Sequence, residues 1–124
     1  MTTRRPATLA VVALVAVLAV LAAGALTACS SSPKREPQTV EVVVPVGTQL
    51  RLNAGEKVDV MPARIELHVG DTLLIRNYDY VAQTVGPYDV AANSEVSFTY
   101  GAPGEFEGYC PLSEGERYEI VVKP

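Results

Sequence analysis

In the C-terminal two thirds of the chain, apolar and polar residues alternate in short runs, which is the pattern of strands with one buried face. The run RIELHV at 64–69 alternates most clearly and predicts that Ile65, Leu67 and Val69 point into a core. Turn-forming Gly, Pro, Asp and Asn residues interrupt the runs about every 8 to 12 residues, as in β-sandwiches. The pattern predicts an all-β, Greek-key β-sandwich over residues 39–124, with no helix of useful length.

The first 28 residues follow a different pattern. Arg4 and Arg5 precede an uncharged apolar run over 6–28, which is typical of an export signal. A retained transmembrane helix is the alternative, because the run is long enough to cross about 30 Å of hydrocarbon. The run leads into LTAC, which resembles the lipobox of bacterial lipoproteins, whose cysteine is acylated after cleavage. This resemblance implies that 1–28 is a lipoprotein signal peptide and that Cys29 carries the lipid.

The stretch that follows, SSSPKREPQ, is polar and contains two prolines, as expected of a tether. The predicted organisation is therefore a signal peptide at 1–28, a lipidated Cys29 and polar tether over 29–38, and one domain over 39–124. Such a chain is expected at the cell membrane, held by membrane lipid through Cys29 and facing outside the cytoplasm.

The charge balance limits the possible partners. The chain has 10 basic and 14 acidic residues, and without Arg4 and Arg5 eight basic residues remain, a balance of −6. An acidic surface argues against nucleic acid and against anionic lipid headgroups as partners.

Cysteine usage raises a separate question, because the chain has two cysteines and the predicted compartment is oxidising. If Cys29 carries lipid, Cys110 has no partner within one mature chain. In the run EFEGYC, Phe106, Gly108 and Cys110 share one strand face, which predicts that the thiol points into the core. An intermolecular disulfide through Cys110 is the alternative.

The segments around Cys110 and upstream of it resemble the cupredoxin, or blue-copper, family. PARIELHVGDTLLIRNYDYVAQTVG at 62–86 resembles its strand, Gly-Asp turn, strand and Asn-containing loop. APGEFEGYCPLSEGERYEIVV at 102–122 resembles its terminal hairpin around the ligand cysteine. The resemblance implies a cupredoxin-like fold.

Cupredoxins bind copper through two histidines, a cysteine and a weak axial methionine. The resemblance places the first histidine at Gln83, the cysteine at Cys110, the second histidine at Ser113 and the methionine at Glu116. Only Cys110 matches, so the resemblance implies a degenerate copper site and no cofactor. The alternative is a copper-binding or electron-transfer protein with an unusual ligand set, built from these four positions.

Few other residues could serve as alternative metal ligands or as catalytic groups. His68 is the only histidine, and it precedes the Gly-Asp turn, which puts it at the end away from Cys110. No Cys-His or Ser-His-Asp arrangement is therefore expected, and the chain is predicted not to be an enzyme. Met61 is expected to pack in the core, while Asp79 is a further possible oxygen donor beside Gln83.

These observations predict a binding or structural module rather than a catalyst, with a membrane or extracytoplasmic protein as a possible partner. Aromatic side chains at the end of the sandwich near Cys110 would suit such a partner. The alternative is that they fill and cover the end of the core. The residues of this possible binding surface are Tyr78, Tyr80, Tyr88 and Tyr109.

Overall fold

The computed structural model describes residues 33–124, so the predictions for 1–28 and for Cys29 lie outside the described residues. Glu36–Pro124 forms one compact unit. The elements in chain order are β1 Thr39–Val44, helix α1 Thr48–Asn53, β2 Arg64–His68, β3 Thr72–Asn77, β4 Gln83–Val85, β5 Tyr88–Val90, β6 Ser94–Thr99, β7 Gly104–Tyr109, a 3₁₀ turn Glu114–Glu116, and β8 Arg117–Lys123.

The strands form two three-stranded sheets and a small hairpin. The first sheet has the order β1-β3-β6, the second β2-β8-β7, and β4 pairs with β5. β1 and β3 are parallel, as are β2 and β8, while β3 with β6 and β7 with β8 are antiparallel. The described residues are thus mostly β, as the alternating pattern predicts.

The core lies between the two three-stranded sheets, because each sheet buries alternate residues. On β1 and β3 the buried positions alternate with exposed or half-buried ones, and β2 follows the same rule. The buried aliphatic residues belong to one cluster that joins both sheets. The residues include Val42, Val44, Ile65, Leu67, Leu73, Ile75, Ile120 and Val122.

The strand directions define two ends of the sandwich. Because β1 and β3 run in parallel register, Thr39 and Thr72 lie at one end and Val44 and Asn77 at the other. We name the end at which the chain enters β1 the proximal end, and the opposite end the distal end. A six-residue strand separates them by about 20 Å.

The second sheet has the same two ends. β2 and β8 finish side by side at His68 and Lys123, and the His68 amide donates to the Asp71 carboxylate just before β3, which marks this as the proximal end. β7 runs opposite to β8, so Cys110, which follows β7, lies at the distal end. His68 and Cys110 are therefore at opposite ends of the domain, as predicted.

The structure corrects the prediction in two places. Thr48–Asn53 forms α1 rather than β structure, because Gly47 turns the chain at φ 82° and Asp79 from a distant loop accepts the first backbone N–H groups of the helix. Val69 is 41% exposed rather than buried, since β2 ends one residue earlier and Gly70 reverses the chain at φ 95°. Within residues 33–124, neither helical segment is long and apolar enough to cross a membrane.

Candidate functional site

Cys110 lies where β7 ends and the loop to β8 begins. Its side chain is fully buried, which confirms the orientation predicted from strand alternation. The sulfur accepts a hydrogen bond from the Gly86 amide at 3.3 Å and lies 3.9 Å from the Thr84 carbonyl oxygen. The Cys110 amide donates to the Glu116 carbonyl at 3.0 Å, and the Cys110 carbonyl accepts from the Ser113 amide at 3.1 Å. The thiol is thus fixed between the β4–β5 hairpin and a tight loop.

Ser113 occupies the position where the resemblance places the second histidine. It is 1% exposed, and its hydroxyl donates to the Arg117 carbonyl oxygen. Its backbone forms an isolated parallel bridge with Met61. The hydroxyl is therefore used within the loop, where it joins the start of β8 to the turn after Cys110.

Met61 packs against Gly86, in the turn between β4 and β5 that contacts Cys110. It is buried, and its methyl carbon and sulfur lie 3.4 and 3.5 Å from the point where a side chain on Gly86 would begin. Gly86 therefore accommodates the thioether on one side and donates its amide to the Cys110 sulfur. This position agrees with the predicted packing role of Met61.

Gln83 occupies the position of the first histidine at the start of β4, and it is buried. Its amide nitrogen lies 3.1 Å from the Asp79 carboxylate and 3.2 Å from the Gln49 side-chain oxygen. The Gln83 amide thus links the loop that contains Asp79 to α1, which contains Gln49. An imidazole at this position would have to replace both contacts.

Glu116, at the methionine position, is exposed. It follows Gly115 in the 3₁₀ turn, and both residues have left-handed backbone angles, φ 70° and 59°. It lines a groove of about 270 Å³ together with Pro111 and Asp59. The carboxylate is therefore on the surface of the loop rather than in the buried position beside Cys110.

The donor set does not fit a type 1 copper site. Cys110 supplies the one soft ligand, whereas the Gln83 amide and the Ser113 hydroxyl are hydrogen bonded elsewhere in the domain. Imidazole and thiolate donors are the ones that copper prefers in this geometry. Among residues 33–124, no three His, Cys, Asp or Glu side chains are grouped so as to hold a metal ion.

Asp79 has a larger structural role than the sequence suggests. It is buried, and its carboxylate accepts the backbone N–H groups of Gly47, Gln49 and Tyr80 as well as the Gln83 amide, at 2.8 to 3.1 Å. The Gln49 N–H contributes most to holding the pKa of Asp79 below its usual range. The only sequence signal is an aspartate in a turn between two tyrosines, because its partners are 30 and 32 residues away, at Gln49 in α1 and at Gly47 just before it.

The four tyrosines of the predicted binding surface lie in different surroundings. Tyr78 and Tyr80 flank Asp79 at the distal end and are exposed. Tyr109 is also exposed, but it lies on β7 and pairs with Arg117 on the second sheet. Tyr88 is half-buried with its ring stacked on Phe98 at 3.7 Å. The structure thus brings Tyr78 and Tyr80 together and places Tyr88 against the core.

Tyr88 also takes part in a partly buried hydroxyl pair. Its hydroxyl lies 2.8 Å from that of Tyr100, whose ring packs near Phe106 with centroids 5.9 Å apart. Burial raises the pKa of Tyr100 well above its usual range, and the Tyr88 hydroxyl adds to this. The rings of Tyr88, Tyr100 and Phe98 thus pack in or against the core.

Comparison with known proteins gives a likeness in structure only. No family model matches the chain, and no curated protein matches it in sequence. A mutant of amicyanin with Cu(I) matches with a TM-score of 0.42 at 15% identity, over 68% of this chain and 82% of that one. A reduced amicyanin mutant matches with a TM-score of 0.43 at 15% identity, over 73% and 87%. A purple cupredoxin from Nitrosopumilus maritimus matches with a TM-score of 0.42 at 16% identity, over 68% and 99%.

Proposed function

We propose that this chain is a lipid-anchored, extracytoplasmic protein whose cupredoxin-like β-sandwich is a binding or structural module with a degenerate copper site. In this proposal Cys29 carries the lipid, residues 30–38 are the tether, and the domain has no catalytic role. The Cys110 loop keeps its buried sulfur and its tight turns. In this proposal the loop serves through its shape, and its ligands are replaced.

The observation that carries the proposal is that Gln83 and Ser113, at the two histidine positions, form hydrogen bonds within the domain. The Gln83 amide bridges Asp79 and Gln49, and the Ser113 hydroxyl donates to the Arg117 carbonyl. A structural metal site of four ligands is worth on the order of 10–16 kcal/mol, so the loss of two strong ligands removes about 6–8 kcal/mol. That corresponds to roughly five decades of affinity.

Metal titration of the purified full chain tests the copper part of the proposal. With cupric or cuprous ions we expect no intense charge-transfer band in the visible range and no tight uptake of one ion per chain. The matched control is Cys110→Ser, which removes the only soft donor of the loop. An intense band in the natural chain that disappears in Cys110→Ser would favour the alternative, a copper-binding or electron-transfer protein with an unusual ligand set.

Fractionation of cells that express the full chain tests the anchor. We expect the natural chain to incorporate labelled fatty acid and to remain with the membranes, whereas Cys29→Ala should lose the label. A Cys29→Ala chain that is unlabelled, uncleaved and membrane-integrated still agrees with the anchor, because the substitution blocks processing of the signal peptide. A natural chain that is membrane-integrated, unlabelled and uncleaved would contradict the anchor and favour a retained transmembrane helix.

A further inference from the structure

Strand β7 lies at an edge of the second sheet. The order of this sheet is β2-β8-β7, so β7 pairs with β8 on one side and, among residues 33–124, with no strand on the other. The Cys110 amide donates to the Glu116 carbonyl in register with the β7–β8 pairing. Because bonded and non-bonded pairs alternate in an antiparallel ladder, Phe106 and Gly108 are bonded to β8, whereas the residues that alternate with them are not.

The open edge therefore presents the backbone N–H and C=O groups of Glu105 and Glu107. Both residues are exposed, and no strand among residues 33–124 bonds these groups. The small hairpin of β4 and β5 pairs only within itself, so it adds no strand to this edge. Unpaired backbone groups along an edge are a template for an additional strand.

The outer face of β7 carries two negative charges that the domain does not compensate. Glu105 and Glu107 share this face because they are two residues apart in one strand, and neither forms an ion pair among residues 33–124. The glutamates of the other strands are all ion-paired: Glu41 and Glu95 with Arg76, Glu66 with Lys123, and Glu119 with Arg64. Free glutamate charge on the described strands is thus confined to the open edge.

The inner face of β7 offers one partly exposed ring at this edge. Phe106 is 41% exposed and lies between Gly104 and Gly108 on that face. Apart from its chain neighbours, a side chain at Gly104 would meet only the Phe106 ring within 4 Å. An apolar side chain across from Phe106 would cover this ring, and the burial of apolar surface favours binding.

A second copy of the chain does not fit this edge. An antiparallel pair of β7 strands centred on residues 105–107 puts Glu105 or Glu107 of one copy directly opposite the same residues of the other. Like charges directly opposite each other destabilise a strand pair, whereas opposite charges stabilise it. The strand that complements this edge therefore has basic side chains on its outer face.

We infer that the open edge of β7 takes up an extended segment of another protein as an additional antiparallel strand. This segment has Lys or Arg opposite Glu105 and Glu107 and an apolar residue opposite Phe106. The inference rests on the proposed function as a binding module, and it names the edge that binds and the class of segment that is bound. It depends neither on a lipid at Cys29 nor on the copper ligands.

Titration of the purified full chain with a labelled peptide tests this inference. The probe is the blocked peptide Thr-Lys-Val-Lys-Val-Thr, which we expect to bind with one saturable site per chain. Two matched peptides are the controls, one with glutamate in place of both lysines and one with methyl groups on the backbone nitrogens of both lysines. The second control keeps the charges but removes the donors that face the open groups of β7. We expect both to bind at least about tenfold more weakly.

Substitutions in the chain locate the bound peptide. In Glu105→Gln with Glu107→Gln we expect the dissociation constant to rise about fivefold or more, because two opposite-charge pairs are lost. Glu41→Gln with Glu95→Gln makes the same charge change on the first sheet and should leave the constant within about twofold. Hydrogen exchange of the Glu105 and Glu107 amides should slow when the peptide is bound. Unaltered urea midpoints show that each variant is folded.

Several outcomes would overturn the inference. No binding of the basic peptide, or undiminished binding of the methylated one, would contradict strand addition. An unchanged affinity in the β7 variant, or an equal loss in the first-sheet variant, would place the peptide elsewhere. Dimers of the natural chain that the peptide dissociates would identify a second copy as the occupant. A lipidated chain that takes up no copper and binds no peptide keeps the anchor and the degenerate site and loses this inference, whereas copper uptake together with peptide binding does the reverse.

Discussion

The two ends of the sandwich are closed by the same device and differ in what they expose. At the proximal end, Asp71 is buried and accepts the amides of Gln38 and His68, both at 2.8 Å. At the distal end, Asp79 accepts three amides in the same manner. One exposed apolar residue, Val69, lies near the proximal carboxylate in the chain, whereas the two segments that Asp79 joins carry five, Val46, Leu50, Tyr78, Tyr80 and Val81.

This difference distinguishes side chains that stabilise the fold from side chains that do not. A buried carboxylate that accepts several backbone N–H groups satisfies donors that a turn leaves unpaired, so it is needed for the fold at either end. Exposed aromatic and aliphatic side chains do nothing comparable for the fold, since their surface remains in water. The comparison therefore indicates that Asp71 and Asp79 stabilise the fold, whereas the exposed apolar residues near Asp79 contribute little to it.

The largest loss of stability is expected from substitution of Asp71 at the proximal end. Asp71→Ala removes the acceptor for the Gln38 and His68 amides, and we expect it to lower the free energy of unfolding by about 1–3 kcal/mol. Urea unfolding of the full chain measures the change. Asp71→Asn keeps one acceptor oxygen and should lose less. An equal loss in both variants would mean that the charge, rather than the accepted hydrogen bonds, is what the fold requires.

A somewhat smaller loss of stability is expected from substitution of Gly86, beside Cys110. Gly86→Ala introduces a side chain at φ 59° and places its carbon 3.4 Å from the Met61 methyl group, close to an ordinary contact, so we expect a loss of about 1–2 kcal/mol that comes chiefly from the backbone. The matched variant is Gly55→Ala, which has φ 77° and no neighbour within 4 Å. The difference between the two variants isolates the packing around Met61.

Labelling of Cys110 by a thiol reagent gives a second measure of that packing. The thiol is fully buried, so the folded natural chain should react only as fast as it opens. Gly86→Ala should speed the reaction because the Gly86 amide contacts the sulfur, and Gly55→Ala should not. Rapid labelling that maps to Cys110 rather than to Cys29 would contradict the buried position of Cys110 and reopen the possibility of an intermolecular disulfide.

Local patterns in the sequence predict the strands and the orientation of Cys110, because strand periodicity reports which face is buried. They do not predict α1, whose two leucines form no buried stripe: Leu50 is exposed and Leu52 is half-buried. The helix begins where it does because Asp79, 30 residues beyond Gln49, accepts its first N–H groups. A contact over that distance leaves no periodic signal in a single chain.

The same limit applies to the candidate site. The resemblance to cupredoxins predicts a site around Cys110, and the residue types at Gln83 and Ser113 predict that this site lacks two imidazoles. It does not reveal that the Gln83 amide binds Asp79, since this contact depends on how the loop after β3 folds over α1. It also places Tyr88 with the other tyrosines, although the ring stacks on Phe98.

The next prediction concerns pH and the distal carboxylate. A carboxylate with a lower pKa in the folded than in the unfolded chain stabilises the fold above its unfolded pKa, and this contribution is lost as the pH falls through the folded pKa. The pKa of Asp79 is lowered from its ordinary value of 3.8, chiefly by the Gln49 N–H. We therefore expect stability to fall as the pH drops from about 5 to below 3.8, and to fall less steeply in Asp79→Asn.

Urea midpoints at each pH measure this difference between the two chains. The pKa of Glu66 is also lowered, chiefly by its hydrogen bond with Lys123, but Glu66 is present in both chains and its contribution cancels in the comparison. Parallel pH profiles for the natural chain and Asp79→Asn would contradict the role of Asp79 as a charged acceptor at the distal end.

The smallest effect is expected from the exposed surface itself. Leu50→Ser and Tyr80→Ser should each change the free energy of unfolding by no more than about 0.5 kcal/mol, because most of each side chain already lies in water. Val69→Ser, at the proximal end, is the comparison variant and should lose somewhat more, because Val69 is only 41% exposed. Urea unfolding with an unchanged m-value measures all three. A loss well above 1 kcal/mol at Tyr80 alone would show that this ring stabilises the domain, and it would favour the interpretation in which the tyrosines cover the end of the core.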